Sequence, residues 1–388
     1  MRTRTSITTV VSEPSCLSNV IAAIVLILLF CLFIPAASAQ STEAPPATVF
    51  VQTALGGFIL GYDIDQNGNE GLLSEALSLS DGKFNVATET FDQTTGKIIK
   101  IVSQQSDTLN DFVTLGIFGS SVGLVEFEKA KGIFVGKRLY GTMNPVSLNK
   151  VTGQWTPPLS KTQLILGVAD SQGATNTAVL ASQNFNSFIF SSNVAANTFG
   201  PSITLTDQIF GANDSPVVAI NTVTNQAIVA ASHGSILDLP QIAEVDLTTG
   251  NTIQFTGVGF GFVNGMAVDS TNGIAVTTSE VDFSVEFYNL AKQTGFKVPL
   301  HNATNQSQSR QGVGFDPIHK LFLIEQEFSS TVASGSSIQV FDEQGNFVEA
   351  VNGLNLPASP TRIALNPTRR MGYVLLTPAL TQLQSFTY

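Results

Sequence analysis

Short apolar runs alternate with tight polar turns along most of this chain, and the alternation repeats. In VVAINTVTNQAIVAAS, from Val217, two runs of Val, Ile and Ala flank the polar stretch Asn-Thr-Val-Thr-Asn. The arrangement returns in GMAVDSTNGIAVTTS from Gly265, GVGFDPIHKLFLIEQ from Gly312 and RIALNPTRRMGYVLLTP from Arg362. Runs of this length, rich in β-branched residues and bounded by turn formers, predict β-hairpins. The first run ends in Asn221, Asp269, Asp316 and Asn366, spaced 48, 47 and 50 residues apart. Self-similarity at such a period marks a propeller or another repeat array.

A second hairpin accompanies the first. Its turns lie in AEVDLTTGNTIQF from Ala243, EFYNLAKQTGFKV from Glu286, QVFDEQGNFVEA from Gln339 and VSLNKVTGQW from Val146. Asp or Asn opens each turn, where its side chain caps the backbone, and Gly closes it, where φ turns positive. Two hairpins per period make four antiparallel strands, the content of one propeller blade. The expected fold is therefore all-β, a β-propeller of four-stranded antiparallel blades, seven in number, with six or eight as alternatives. Units start near Arg362, Gly312, Gly265, Val217, Leu164, Val125 and Asn85. The stretch from Thr48 to Leu79 reads as the outer strands of a further unit lacking its first strand. It either completes a blade at the other end of the chain or forms an eighth.

Hydrophobic strand, Asp-Pro or Asp-Ser-Thr-Asn, then Ile-Ala-Val or Leu-Phe-Leu-Ile: this succession resembles the NHL and YVTN propeller repeats. It is also similar to units of the regucalcin/gluconolactonase and phosphogluconolactonase-like propellers. The resemblance covers most of the chain after the first forty residues and implies a fold rather than an activity.

Composition adds a location and removes some functions. Arg2 and Arg4 precede a nearly continuous apolar run, Asn19 to Pro35, and Ala37-Ser38-Ala39 supplies small residues before Gln40. That is the pattern of a secretory signal over 1–39, followed by a short lead-in over 40–47 and one propeller domain over 48–388. The alternative is an uncleaved anchor, since the run is just long enough to span a bilayer. Both cysteines, Cys16 and Cys31, fall inside this segment, so the exported chain would be stabilised by its core and not by disulfides. The whole chain is 43% hydrophobic and 12% charged. Beyond residue 39 it holds 16 basic and 28 acidic side chains, a net of −12 that opposes binding to nucleic-acid phosphates.

Two groups of residues are candidates for chemistry. Asp63, Asp65 and Asn67, with Gly68 sixth, match the start of a calcium loop, but Ser74 stands twelfth where a bidentate Glu belongs. A hairpin turn is the preferred reading, equivalent to the other second-hairpin turns. The second group lies on loops that enter each first strand or join second strands to third, the loops that line one axial face of a propeller. It comprises Asn264, Arg362, His233, Glu280, Asp282, Glu325 and Glu327. Convergent oxygens on such a face suit Ca2+, and carboxylates near a metal-bound water suit ester or lactone hydrolysis. Asn264, in Val-Asn-Gly, resembles the Pro-Asn-Gly loop of regucalcin-like enzymes, which implies a metal ligand there; Glu280 and Glu325, on the same expected face, are the candidate partners. Val263 replaces the Pro, and the other ligands of that family find no match. His233, His301 and His319 fall in separate units with no shared spacing.

The expected function is a secreted, periplasmic or extracellular monomer that binds a protein or small-molecule ligand on its axial loops, without a membrane span once the signal is removed. The alternatives are a divalent-metal-dependent lactonase or related hydrolase using the same face, and a structural protein of the cell envelope.

Overall fold

Each repeat marker ends a strand and folds its side chain back onto the next residues. Asn221 Oδ1 accepts from the N–H groups of Val223 and Thr224 at 3.1 and 3.2 Å. Asp269 Oδ1 accepts from Thr271 at 2.9 Å, and Asp316 Oδ1 from Ile318 and His319 at 2.8 and 2.9 Å. Asn366 Oδ1 accepts from Arg369 at 3.2 Å. These short acceptors satisfy backbone donors that a reversing chain leaves without partners. Four residues after each marker the backbone is left-handed: Asn225 at φ 53°, Gly273 at 63°, Lys320 at 60° and Arg370 at 49°. Gly273 has nothing closer than Leu290 Cβ at 4.0 Å, so a methyl group there meets no clash. Gly273→Ala is thus expected to cost only backbone strain, about 1 kcal/mol, read from urea unfolding.

The computed structural model describes residues 48–66, 68–81 and 84–107, the strand backbones between 110 and 204, and residues 217–231, 239–259, 263–279, 284–301, 307–328, 336–354, 363–376 and 380–388. In chain order the strands are β1 (Phe50–Gln52), β2 (Phe58–Ile64), β3 (Glu70–Ser78), β4 (Phe84–Asp92), β5 (Ile98–Asp107), β6 (Asn110–Phe118), β7 (Ser121–Glu128), β8 (Ile133–Val135), β9 (Arg138–Tyr140) and β10 (Met143–Asn149). Next come β11 (Gly167–Gln172), β12 (Thr177–Ser182), β13 (Phe188–Asn193), β14 (Thr198–Thr204), β15 (Val217–Asn221), β16 (Gln226–Ala231), β17 (Gln241–Asp246) and β18 (Thr252–Thr256). The last are β19 (Val263–Asp269), β20 (Ile274–Ser279), β21 (Ser284–Asn289), β22 (Thr294–Pro299), β23 (Ser307–Asp316), β24 (Leu321–Phe328), β25 (Ser336–Asp342), β26 (Phe347–Leu354), β27 (Ala364–Asn366), β28 (Met371–Leu375) and β29 (Gln382–Thr387).

The fold is all-β, and five of its sheets are four-stranded and antiparallel. β2–β5, β15–β18, β19–β22 and β23–β26 are simple meanders, while β27–β29 takes β1 as its fourth strand, in the order β1-β29-β28-β27. β6, β7 and β10 form a three-stranded sheet, and β8 and β9 extend the β11–β14 sheet to six strands. First strands of successive sheets lie side by side: β2 by β6, β6 by β11, β11 by β15, β15 by β19, β19 by β23, β23 by β27, and β27 by β2. This is compatible with a propeller-like arrangement.

The core lies between sheets. Leu321, Leu323 and Val340 of one sheet pack against Ile363, Leu365 and Val374 of the next, and Ile228 and Ile242 meet Met266 and Tyr288. Inner strands are covered on both faces, which is why VVAIN is buried at all five positions and reads as a continuous apolar run. Outer strands have one free face, so Ile253, Phe296 and Val348 are exposed.

The markers also join sheet to sheet at the turn end. Thr222 N–H donates to Ser270 Oγ at 3.0 Å, Lys320 Nζ lies 3.5 Å from Asp269 Oδ1, and Tyr388 Oη donates to Asp316 Oδ2 at 2.9 Å. Asn366 Nδ2 donates to Gln93 Oε1 at 2.8 Å and to the carbonyls of Gly68 and Asp65 at 3.2 and 3.3 Å. At Asp269, Asp316 and Asn366 one short polar residue therefore does two jobs: it caps its own turn and ties down its neighbour.

Several sequence expectations change. Residues 58–64 are not an outer strand but β2, the first strand of a complete sheet, and 84–92 form its third strand, so no unit starts near Asn85. Near Val125, β7 pairs with β6 and β10 and not with residues 133–135, which pair with β9. The Asp63–Glu70 turn joins a first hairpin, not a second one. In the β21–β22 turn Gln293, at φ 54°, takes the left-handed position, and Gly295 instead lies under Tyr288, whose ring leaves no room for a Cβ. All hairpins share one local chemistry, so only packing between sheets decides which hairpin of a unit each one is.

Candidate functional site

Antiparallel order puts the loop approaching each first strand and the loop between second and third strands at one end of every sheet. The first-hairpin and second-hairpin turns lie at the other. Asn264 falls in β19, beside a bulge between Val263 and Gly265, and Glu327 falls near the end of β24. Glu325 is wholly buried inside β24, opposite Ile338. His233, Glu280, Asp282 and Arg362 lie outside the described residues. Asp63 and Asp65 sit at the opposite end, in β2 and the turn after it, and Asn67 is outside the described residues. The carbonyls of Asp65 and Glu70 each accept from Gln93 Nε2 at 2.9 Å, which makes this turn part of the junction with Asn366. Among the described residues no group of three or more His, Cys, Asp or Glu is placed to hold a metal ion.

The approach end has an organised underside. In three sheets a buried Glu or Gln of the third strand, three residues before the Asp or Asn of the second hairpin, reaches the approach loop. Glu89 Oε2 accepts from Ala54 N–H at 3.1 Å. Gln339 Oε1 accepts from His301 N–H at 2.8 Å, and its Nε2 donates to the His301 carbonyl at 2.9 Å. Glu286 lies against Gly259, where a Cβ would stand 2.4 Å from Glu286 Oε1. Each has a polar partner on the second strand: Glu75 for Glu89, Thr277 for Glu286 at 3.2 Å, and Gln326 for Gln339. Glu75 and Glu89 are diagonal neighbours, since Glu75 pairs with Ala87 and Leu73 with Glu89. Gln326 and Gln339 repeat that diagonal, with Gln326 opposite Ser337 and Ile324 opposite Gln339.

The Glu75–Glu89 pair is the most polarised of these. Both residues are wholly buried. Glu75 accepts from the N–H groups of Leu55 and Gly57, each at 2.7 Å. Burial first, then the hydrogen bond and negative charge of Glu75, push the Glu89 carboxyl up to about 8, against the lowering effect of Ala54 N–H. Two carboxyls in contact within an apolar setting resist carrying two negative charges. A second pair, Asp269 and Glu343, lies at the turn end with Lys320 Nζ 3.5 and 3.8 Å from their oxygens. Burial and then Asp269 raise the Glu343 carboxyl. There the Lys320 ammonium offsets the charge of the pair.

Sequence reasoning missed Glu75, Glu89, Glu286 and Gln339. The signal was present: Glu or Gln stands three places before Asp92, Asn289 and Asp342. No protein-family model matches the chain, and no curated protein proves similar to it.

Proposed function

We propose that the chain is an exported, monomeric β-propeller of seven blades that binds a protein or small-molecule ligand through its approach-end loops. The observation that carries this reading is the contrast between the two ends. Among the described residues, eight short turns at one end are alike, capped by Asp92, Asn221, Asp246, Asp269, Asn289, Asp316, Asp342 and Asn366. At the other, the connections from Ala231 to Gln241, Ser279 to Ser284, Phe328 to Ser336 and Leu375 to Gln382 differ in length and sequence. Varied loops on a rigid repeated base are the usual means by which a scaffold acquires a binding surface, and the buried Glu and Gln clamps supply that rigid base. Seven blades in a ring accord with the side-by-side order of the first strands, and β1 in the β27–β29 sheet accords with sealing by both ends of the domain. Export rests on the Arg-flanked apolar segment and its Ala-Ser-Ala end.

The test compares the natural chain with one whose residues 232–238 and 329–335 are replaced by Gly-Ser linkers of equal length. Both are melted alone, with calcium, with chelator and with a panel of sugars and lactones, and both are used to capture partners by cross-linking from extracellular medium. A ligand at a hundred times its Kd adds about 2.7 kcal/mol of stability. Stabilisation or capture lost in the linker variant supports the reading; binding that survives unchanged overturns it. A calcium-dependent rise in midpoint together with lactone hydrolysis transfers the assignment to the metal-dependent hydrolase.

A further inference from the structure

We propose that Glu75 and Glu89 form a proton-sharing latch that holds the Thr53–Gly57 segment, and with it strand β1, more firmly in mildly acidic than in alkaline surroundings. This inference stands apart from the ligand-binding reading. Three successive donors of the segment, the N–H groups of Ala54, Leu55 and Gly57, end on the two carboxyls. The same segment joins β1, the fourth strand of one sheet, to β2, the first strand of the next. Whatever loosens the carboxyls therefore loosens a connection between two sheets.

The uncharged version of this device is present in the same molecule. Gln339 donates to Gln326 on the identical diagonal and holds His301 at the corresponding approach loop. A protonated Glu89 can play the part of Gln339, donating to Glu75 while accepting from Ala54. An ionised Glu89 cannot, because its buried carboxylate then meets that of Glu75 with no proton between them. No cation acts on the pair, and β6, which packs beside β2, β3 and β4, has Asp111 as its one ionisable residue. β1, β27, β28, β29 and residues 53–57 contain no acidic or basic side chain, and the phenol of Tyr373 is their one titratable group, already given to the Gln93 carbonyl. On the face of β2–β5 that carries the pair, Tyr62 shares the row of Leu73 and Glu89, whereas Asp63 and Lys100 share the row of Leu72 and Thr90 on the other face.

The sign follows from linkage. Glu89 in the latched state keeps its proton to about 8, whereas a released, solvated Glu loses it near its ordinary value. The latch is thus fully present below the ordinary carboxyl range and weakens as pH rises from there to about 8, after which no further loss occurs. The opening equilibrium grows by up to about tenfold per pH unit within that window.

Native-state hydrogen exchange of the full chain tests this. Between roughly pH 5.5 and 7.5, the Ala54, Leu55 and Gly57 amides should exchange faster by up to about tenfold per pH unit beyond intrinsic base catalysis, while the His301 amide on the Gln339 clamp shows only the intrinsic dependence. In Glu89→Gln the extra pH dependence disappears and protection at the acidic end is retained. Glu75→Gln, which also removes the shared proton, serves if Glu89→Gln does not fold. The proposal is overturned if the natural chain shows no excess pH dependence at these amides, or if the folded Gln variant keeps it.

Discussion

A chain that starts at Ala54 is expected to be about 5 kcal/mol less stable than one that starts at Ala47, measured by chemical unfolding. The loss is that of β1, a strand of three residues whose partners lie over three hundred positions away. Val49 and Ser385 exchange two bonds, at 2.7 and 2.8 Å, and Thr53 N–H reaches the Thr381 carbonyl at 3.2 Å. Each such bond contributes about 1 kcal/mol net. Val51, between them, is wholly buried against the β27–β29 sheet and its neighbour, and its loss adds about 2 kcal/mol. Without β1, β29 becomes an open edge beside the approach loops. Val51→Asp in the longer chain should reproduce most of the effect by burying a charge that has no cation to meet it. Equal stability of the two chains would show that β1 is an ornament on the fold rather than part of it.

Asp316→Ala is expected to cost about 2–4 kcal/mol, the largest effect of any turn substitution. The wholly buried carboxylate accepts from two backbone N–H groups, from Tyr388 Oη, and lies 2.7 Å from His319 Nδ1. Burial, and then the charge of Asp316, raise the Tyr388 phenol well above its usual range, so it remains a donor at every working pH. Alanine uncaps the turn, about 1 kcal/mol, and leaves that phenol with no acceptor in the interior, a further 1–3 kcal/mol. Asp316→Asn keeps the cap and should cost about 1 kcal/mol, as should Tyr388→Phe, which removes the partner instead. If the two act through one bond, the double variant Asp316→Asn with Tyr388→Phe will cost clearly less than their sum. Additive costs would mean that the bond between the sheets contributes nothing.

Much of this architecture was legible because it is local. Asp or Asn before a tight turn, with a residue four places on that tolerates positive φ, specifies a hairpin from a handful of neighbouring residues, and the sequence spells this out at Asn221, Asp269, Asp316 and Asn366. Membership was less legible. Residues 50–52 and 58–64 read as parts of one unit, yet they belong to different sheets, because β1 finds its partner in Leu383 and its neighbours rather than in anything nearby. The candidate site was legible as an end of the sheets, not as a constellation. Nothing in the sequence pairs Glu75 with Glu89, and only the loop folded over them makes them a buried pair.

The sequence by itself determined the all-β class, the period and the turn chemistry, since these depend on side chains within a few residues of the backbone they satisfy. Tertiary structure alone decided which hairpin comes first in each sheet, where β1 docks and which carboxyls are buried against each other. Those outcomes depend on burial and on partners from distant positions, and neither quantity exists until the sheets have met.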